Sequence, residues 1–147
     1  MAHLTHETIV ADALLAEVQG PERGGTCVFL GTVRNGTDDG GVTAIEYTAY
    51  DAMAEAEIVR MLAEAVGRWP DARVTLRHRL GMIPVGEASI GIAAAAPHRD
   101  EAFAACRYVI EEVKKRLPVW KKEVRLDGTT TWVDPSGNPV AGGLRDR

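Results

Sequence analysis

Each helix-forming stretch of this sequence ends at a proline and is followed by two short runs of strand character, and that order constrains the fold more than any other feature. Leu14, Leu15 and Val18 give a short apolar face, closed by Gly20-Pro21. Ile58, Met61, Leu62, Ala65, Val66 and Trp69 recur at helical spacing up to Pro70. Phe103, Cys106, Ile110, Val113 and Leu117 form a further single stripe, and Pro118 ends it. A proline inside a helix loses a backbone hydrogen bond and clashes with the preceding turn, so these stops are firm.

The runs between the helices carry strand patterns. GTCVFLGTVR at 25–34 is β-branched and apolar and reads as a buried strand. NGTDDGG at 35–41 is loop chemistry, and VTAIEYTAY at 42–50 is expected to return antiparallel to the first strand. RVTLRHRL at 73–80 alternates, with Val74, Leu76, His78 and Leu80 on the apolar face. GMIPVGE reads as a loop, and ASIGIAAAA at 88–96 as a strand whose small residues let a helix pack close. VWKKEVRL at 119–126, a turn at Asp127-Gly128 and TTTWV at 129–133 read as a hairpin. Helices alternating with strand pairs predict an α+β fold: a single domain with a largely antiparallel sheet and helices packed on it, not a doubly wound parallel one. Residues 1–134 form that domain, and 135–147 are expected to be a flexible tail.

Composition narrows the function classes. The 147 residues suit one domain with a real core. A net charge of −4 makes the whole molecule a poor electrostatic partner for nucleic acid, so any anion site must be local. Cys27 and Cys106 form no C-x-x-C pair and read as buried thiols. No metal motif or phosphate loop is present, and His3 and His6 read as incidental. No apolar run approaches the ~20 residues that cross a bilayer, and the N-terminal stretch has no basic leader character, so a cytoplasmic protein is expected.

Four basic elements remain as candidates. Arg34 ends a strand where a Gly-rich loop begins; its guanidinium is either a solvated strand end or a bidentate clamp for phosphate. His98 and Arg99 precede a helix, where unpaired N–H groups favour an anion, although Asp100 could simply cap that helix. Lys114, Lys115 and Arg116 occupy the last turn of the same helix, where cations suit the dipole. Lys121 and Lys122 point to opposite faces of the following strand. The chain turns at Pro118, so Lys114 and Lys121 can converge on one pocket, where mutual repulsion would lower their pKa values and suit one of them to proton transfer.

The stretches FLGTVRNGTDDGGVTAIEY at 29–47, HRLGMIPVGE at 78–87, PHRDEAFAACR at 97–107, VKKRLPVWKKE at 113–123 and DGTTTWV at 127–133 together resemble the molybdopterin synthase catalytic (large) subunit family. The resemblance implies a fold of the α/β-hammerhead type and a homodimer within a heterotetramer. Each chain would bind a ubiquitin-like small subunit whose C-terminal Gly-Gly thiocarboxylate donates sulfur. The substrate would be cyclic pyranopterin monophosphate (precursor Z), converted to molybdopterin, with no cofactor and no metal on this subunit. The family's catalytic lysines fall on Lys114 and Lys121, and its substrate- and phosphate-binding residues on Arg34, His98 and Arg99. The rival reading is a non-catalytic phosphometabolite- or RNA-binding module using the same basic cluster. An aromatic content of 5% argues against the stacking platform that RNA binding needs.

Overall fold

The computed structural model describes residues 3–36, 41–134 and 139–140. In chain order the elements are β1 (Leu4–Thr5), α1 (Ala11–Val18), β2 (Gly25–Thr32), β3 (Val42–Ala49), α2 (Asp51–Arg68) and β4 (Arg73–Arg79). There follow β5 (Gly81–Pro84), β6 (Ala88–Ala96), α3 (Arg99–Arg116), β7 (Val119–Arg125), β8 (Thr130–Val133) and β9 (Pro139–Val140). They build two sheets, in strand orders β1-β4-β6-β2 and β5-β3-β7-β8-β9. All pairings are antiparallel except that of β1 with β4. The fold is α+β, as the alternation of helices with strand pairs predicts.

β6 is the centre of the first sheet and is covered on both faces. Ala93 and Ala95 pack against Leu14 and Val18 of α1. Ile90, Ile92, Ala94 and Ala96 face α2 and α3 in the main core. Its largest buried side chains include Ile58, Met61, Leu76 and Ile92, each contributing roughly 1.5–3 kcal/mol by leaving water. The small side chains of β6 set the spacing. The buried stripe of α3 is itself small: Ala102, Ala105, Cys106, Val109 and Val113. The expected stripe is therefore corrected at its start. Phe103 is 60% exposed, because a helix lying so close to alanines has room for Ala102 and not for a phenylalanine. Cys106 is buried, and burial beside Cys27 pushes its thiol pKa up to about 12.

Three further expectations are corrected. β2 and β3 do not pair: β2 binds β6, while β3 lies in the second sheet between β5 and β7. Apolar content says that a strand forms but not which partner it takes. β2 is also not buried. It is an outer strand, and Phe29 and Leu30 remain 38% and 41% exposed. Finally, GMIPVGE is not all loop. Gly81–Pro84 pairs with β3, Ile83 buried against Val33, Val42 and Ile45. Gly81, at φ +92°, supplies the left-handed step by which the chain leaves one sheet and enters the other.

The β7–β8 hairpin turns at Asp127-Gly128 as expected, with Gly128 at φ +86°. The polar face of β4 lies under α1, where Thr75 donates to Glu17 at 2.7 Å and Arg77 pairs with the same carboxylate. Of the expected flexible tail, 135–138 and 141–147 lie outside the described residues, while Pro139–Val140 pairs with β8. Among the described residues no helix is long and apolar enough to cross a membrane.

Candidate active site

The chain leaves α3 through Leu117, which is extended (φ −74°, ψ 121°), and Pro118 directs it into β7. That reversal brings Lys114, on the last turn of α3, against Lys121, on β7. The two lysines line a pair of adjoining cavities at the junction of the sheets. One, of about 160 Å³, is also bounded by Tyr47, His78, Ser89 and Asp134. The other, of about 300 Å³, is bounded by Arg34, Glu123 and Phe29, with Tyr47 and Ser89 common to both. Lys114 and Lys121 thus converge as the turn at Pro118 suggests, and Arg34 joins them in the larger cavity.

The remaining cations are sorted by geometry. Lys115 is 69% exposed and lies 3.5 Å from Glu112. Arg116 turns to the α2 side, where it pairs with Glu57, Glu64 and Glu112 and joins the two long helices. Lys122 takes the opposite face of β7 from Lys121, as alternation requires, pairing with Glu46 at 3.1 Å and sitting over the Trp132 ring. His98 and Arg99 are not brought together with Arg34. They lie at the start of α3, both exposed, and Lys114 is 15 residues further along, about 22 Å at helical rise. Within one chain the expected anion site is therefore split: Arg34 is at one end of α3, and His98 and Arg99 are at the other.

Charge is concentrated where the cavities meet. Burial lowers the Lys121 pKa; the Lys114 and Arg34 charges lower it further, and Glu123 opposes them. His78, 5% exposed, has its pKa pushed down to about 4, chiefly by burial and further by the Lys114 charge. Its Nδ1–H donates to the Arg79 carbonyl at 2.9 Å, and its ring meets Tyr47 edge to face at 5.1 Å. Burial raises the pKa of Tyr47, partly offset by a hydrogen bond with Ser89. Ser89 also donates to the Gly31 carbonyl at 3.2 Å. Two lysines and an arginine can hold an anion, and a lysine of lowered pKa can exchange a proton with a bound substrate.

Tyr47, His78, Ser89 and Glu123 belong to this site and were not among the candidates. His78 fits the apolar face of β4 so well that alternation reads it as core. Tyr47 and Ser89 each look ordinary in their own strands. The available signal was the histidine itself, a titratable group on a buried face.

An α+β domain with a lysine- and arginine-lined cavity at a sheet junction has the groups to hold a small anion. The family described as MoaE protein matches residues 4–116, and the chain belongs to it. The molybdopterin synthase catalytic subunit of Nostoc is 40% identical over 131 residues, covering 88% of this chain and 79% of the relative. Molybdopterin synthase catalytic subunit 1 of Mycobacterium tuberculosis is 41% identical over 134 residues, covering 88% of each. Among solved structures, molybdopterin synthase from Staphylococcus aureus superposes with a TM-score of 0.85 at 30% identity, over 89% of this chain and 95% of that one.

Proposed function

We infer that this chain is the catalytic subunit of a molybdopterin synthase, a sulfurtransferase of molybdenum cofactor biosynthesis that converts precursor Z to molybdopterin. The observation that carries the reading is the convergence of Lys114, Lys121 and Arg34 on one cavity system, in a chain whose relatives bear that name. Those relatives are named as subunits, which supports a partner chain. The sulfur donor is the C-terminal thiocarboxylate of a ubiquitin-like small subunit, entering where the two cavities meet. Arg34 holds the substrate phosphate. Lys114 exchanges protons at the carbon under attack, and Lys121 holds the thiocarboxylate or the oxyanion that develops from it. The same cations on an open sheet face would suit the rival RNA-binding module; here they line cavities instead.

A second copy completes the anion site in this reading. β2 is an outer strand with Phe29 and Leu30 exposed, and such an edge favours pairing with another strand. Gly25, at the start of β2, abuts α3 so closely that a Cβ there would lie 3.0 Å from the Arg99 backbone. Arg34 follows the other end of β2. Antiparallel pairing of two β2 edges about a two-fold axis lays the Gly25 end of one copy beside the Arg34 end of the other. His98 and Arg99 of one copy then approach the Arg34 cavity of its partner.

The test separates the lysines. Lys114→Ala should nearly abolish single-turnover sulfur transfer, and Lys121→Ala should lower it by about 10²-fold or more. Lys115→Ala should stay near wild type, and Lys122→Ala should affect folding or partner binding at most. Lys114→Arg should fail, because arginine keeps its proton. Equal activity across four folded alanine variants would return the cluster to a solvated surface.

A further inference from the structure

A tyrosine that the reading above gives no task stands directly beside one of the lysines. Strand register sets its place. Tyr47 of β3 lies opposite Lys121 of β7, and Lys121 lies opposite Val133 of β8. On its other side Tyr47 lies opposite Gly81 of β5. Gly81, Tyr47, Lys121 and Val133 therefore form one row across the second sheet, on one face. Both cavities border that face, because Tyr47 and Lys121 line each of them. Directly opposed residues have Cβ atoms roughly 4.5–5.5 Å apart, within reach of an aromatic ring and a lysine stem.

The ring is held from several sides. Gly81 offers it no side chain, and His78 braces it instead, edge to face, with ring centres 5.1 Å apart. His78 is itself buried and bonded to the Arg79 carbonyl at 2.9 Å. Tyr47 also packs against the main core and against the cluster of Val33, Val42, Ile45 and Ile83. The lysine is walled in turn. Val133 across from it and Val119, two residues before it on β7, are both buried. Tyr47 is the largest side chain of the row and the neighbour of Lys121 on the β3 side.

We propose that Tyr47 is a positioning residue for Lys121: its ring, braced by His78, lies along the Lys121 stem and turns the ammonium to where the two cavities meet. A lysine side chain has four rotatable bonds and explores many directions when untethered. A flat ring on one side and Val133 on the other confine it to a channel between them. The contact is apolar, stem against ring, so the ammonium keeps its N–H groups for an anion. This role rests on the reading of Lys121 as the group that holds the thiocarboxylate or its oxyanion, but the contact itself does not.

Two measurements test it. In nuclear magnetic resonance spectra of the full chain, Overhauser contacts should join the Tyr47 ring protons to the Lys121 methylenes. Tyr47→Phe should keep those contacts, and in Tyr47→Ala the Lys121 side chain should relax as a more mobile group. Absent contacts in the wild type, or a Lys121 side chain equally ordered in Tyr47→Ala, overturns the proposal whether or not the chain makes molybdopterin. In single-turnover assays, Tyr47→Ala should slow sulfur transfer about tenfold or more, as a misplaced catalytic group does, with half-saturation by precursor Z unchanged. Tyr47→Phe, which keeps the ring, should recover most of that loss. Wild-type speed in a folded Tyr47→Ala protein also overturns it. So does equal loss in Phe and Ala variants that melt alike, since the hydroxyl and not the ring would then carry the effect. If Tyr47→Ala does not fold, Tyr47→Leu, which keeps apolar bulk without the ring, takes its place in both measurements. A wild-type chain without activity counts against the sulfurtransferase reading and not against the contact.

Discussion

His78 shows how one buried group shapes behaviour in solution. An unfolded histidine titrates near 6.5, and in the folded chain burial brings this one to about 4. Between those values the unfolded chain binds more protons than the folded chain, so stability rises with pH and is lost as pH falls from about 6.5 towards 4. The span corresponds to about 3 kcal/mol. Thermal melts across that window should show the wild type weakening on acidification and His78→Gln weakening less; parallel curves would contradict this origin. At the same scale, Arg34, Lys114 and Lys121 were legible because cations are visible by type, and Pro118 marks the turn that joins two of them. Tyr47, His78 and Ser89 were not. They come from β3, β4 and β6, each blends into its own strand pattern, and only the packing of the sheets makes them neighbours. His98 and Arg99 were visible by type too, but a linear sequence does not reveal that α3 separates them from Arg34.

The elements themselves were legible where periodicity is strong and proline closes the pattern. α2 and α3 end at Arg68 and Arg116, within two residues of Pro70 and Pro118. Strand partners were harder, since an apolar run fits any complementary edge; β3 chose β5 and β7 over β2. The four residues of β5 were hidden by their glycine and proline, which read as loop. Size sets the stripe of α3: Ala102 is buried and Phe103 is 60% exposed, although apolar character alone favours the phenylalanine. β6 likewise works through its small side chains. Ala94 is fully buried beneath the helices, and Ala94→Val forces added methyl groups into filled space. Chemical denaturation should show a loss of about 1–3 kcal/mol. A valine variant as stable as wild type would mean that α3 is not seated as closely as β6 allows.

At the scale of the whole molecule, the proposed pairing of two β2 edges would bring Arg34 of one copy towards Arg99 of its partner and make assembly part of the site. The chain should run as a dimer in light scattering at micromolar concentration. Arg34→Ala and Arg99→Ala homodimers should each bind precursor Z weakly. Mixed dimers of the two should regain one intact site, because one copy supplies Arg34 and its partner Arg99. No recovery on subunit exchange, or a mass equal to one chain, would contradict a shared site. The central claim is that this chain moves sulfur onto a pterin phosphate. The purified protein, mixed with precursor Z and a thiocarboxylated small subunit, should form molybdopterin and leave the small subunit with an ordinary C-terminal carboxylate. If precursor Z is unchanged and the thiocarboxylate survives while both bind the chain, the site holds anions without catalysis and the account is wrong.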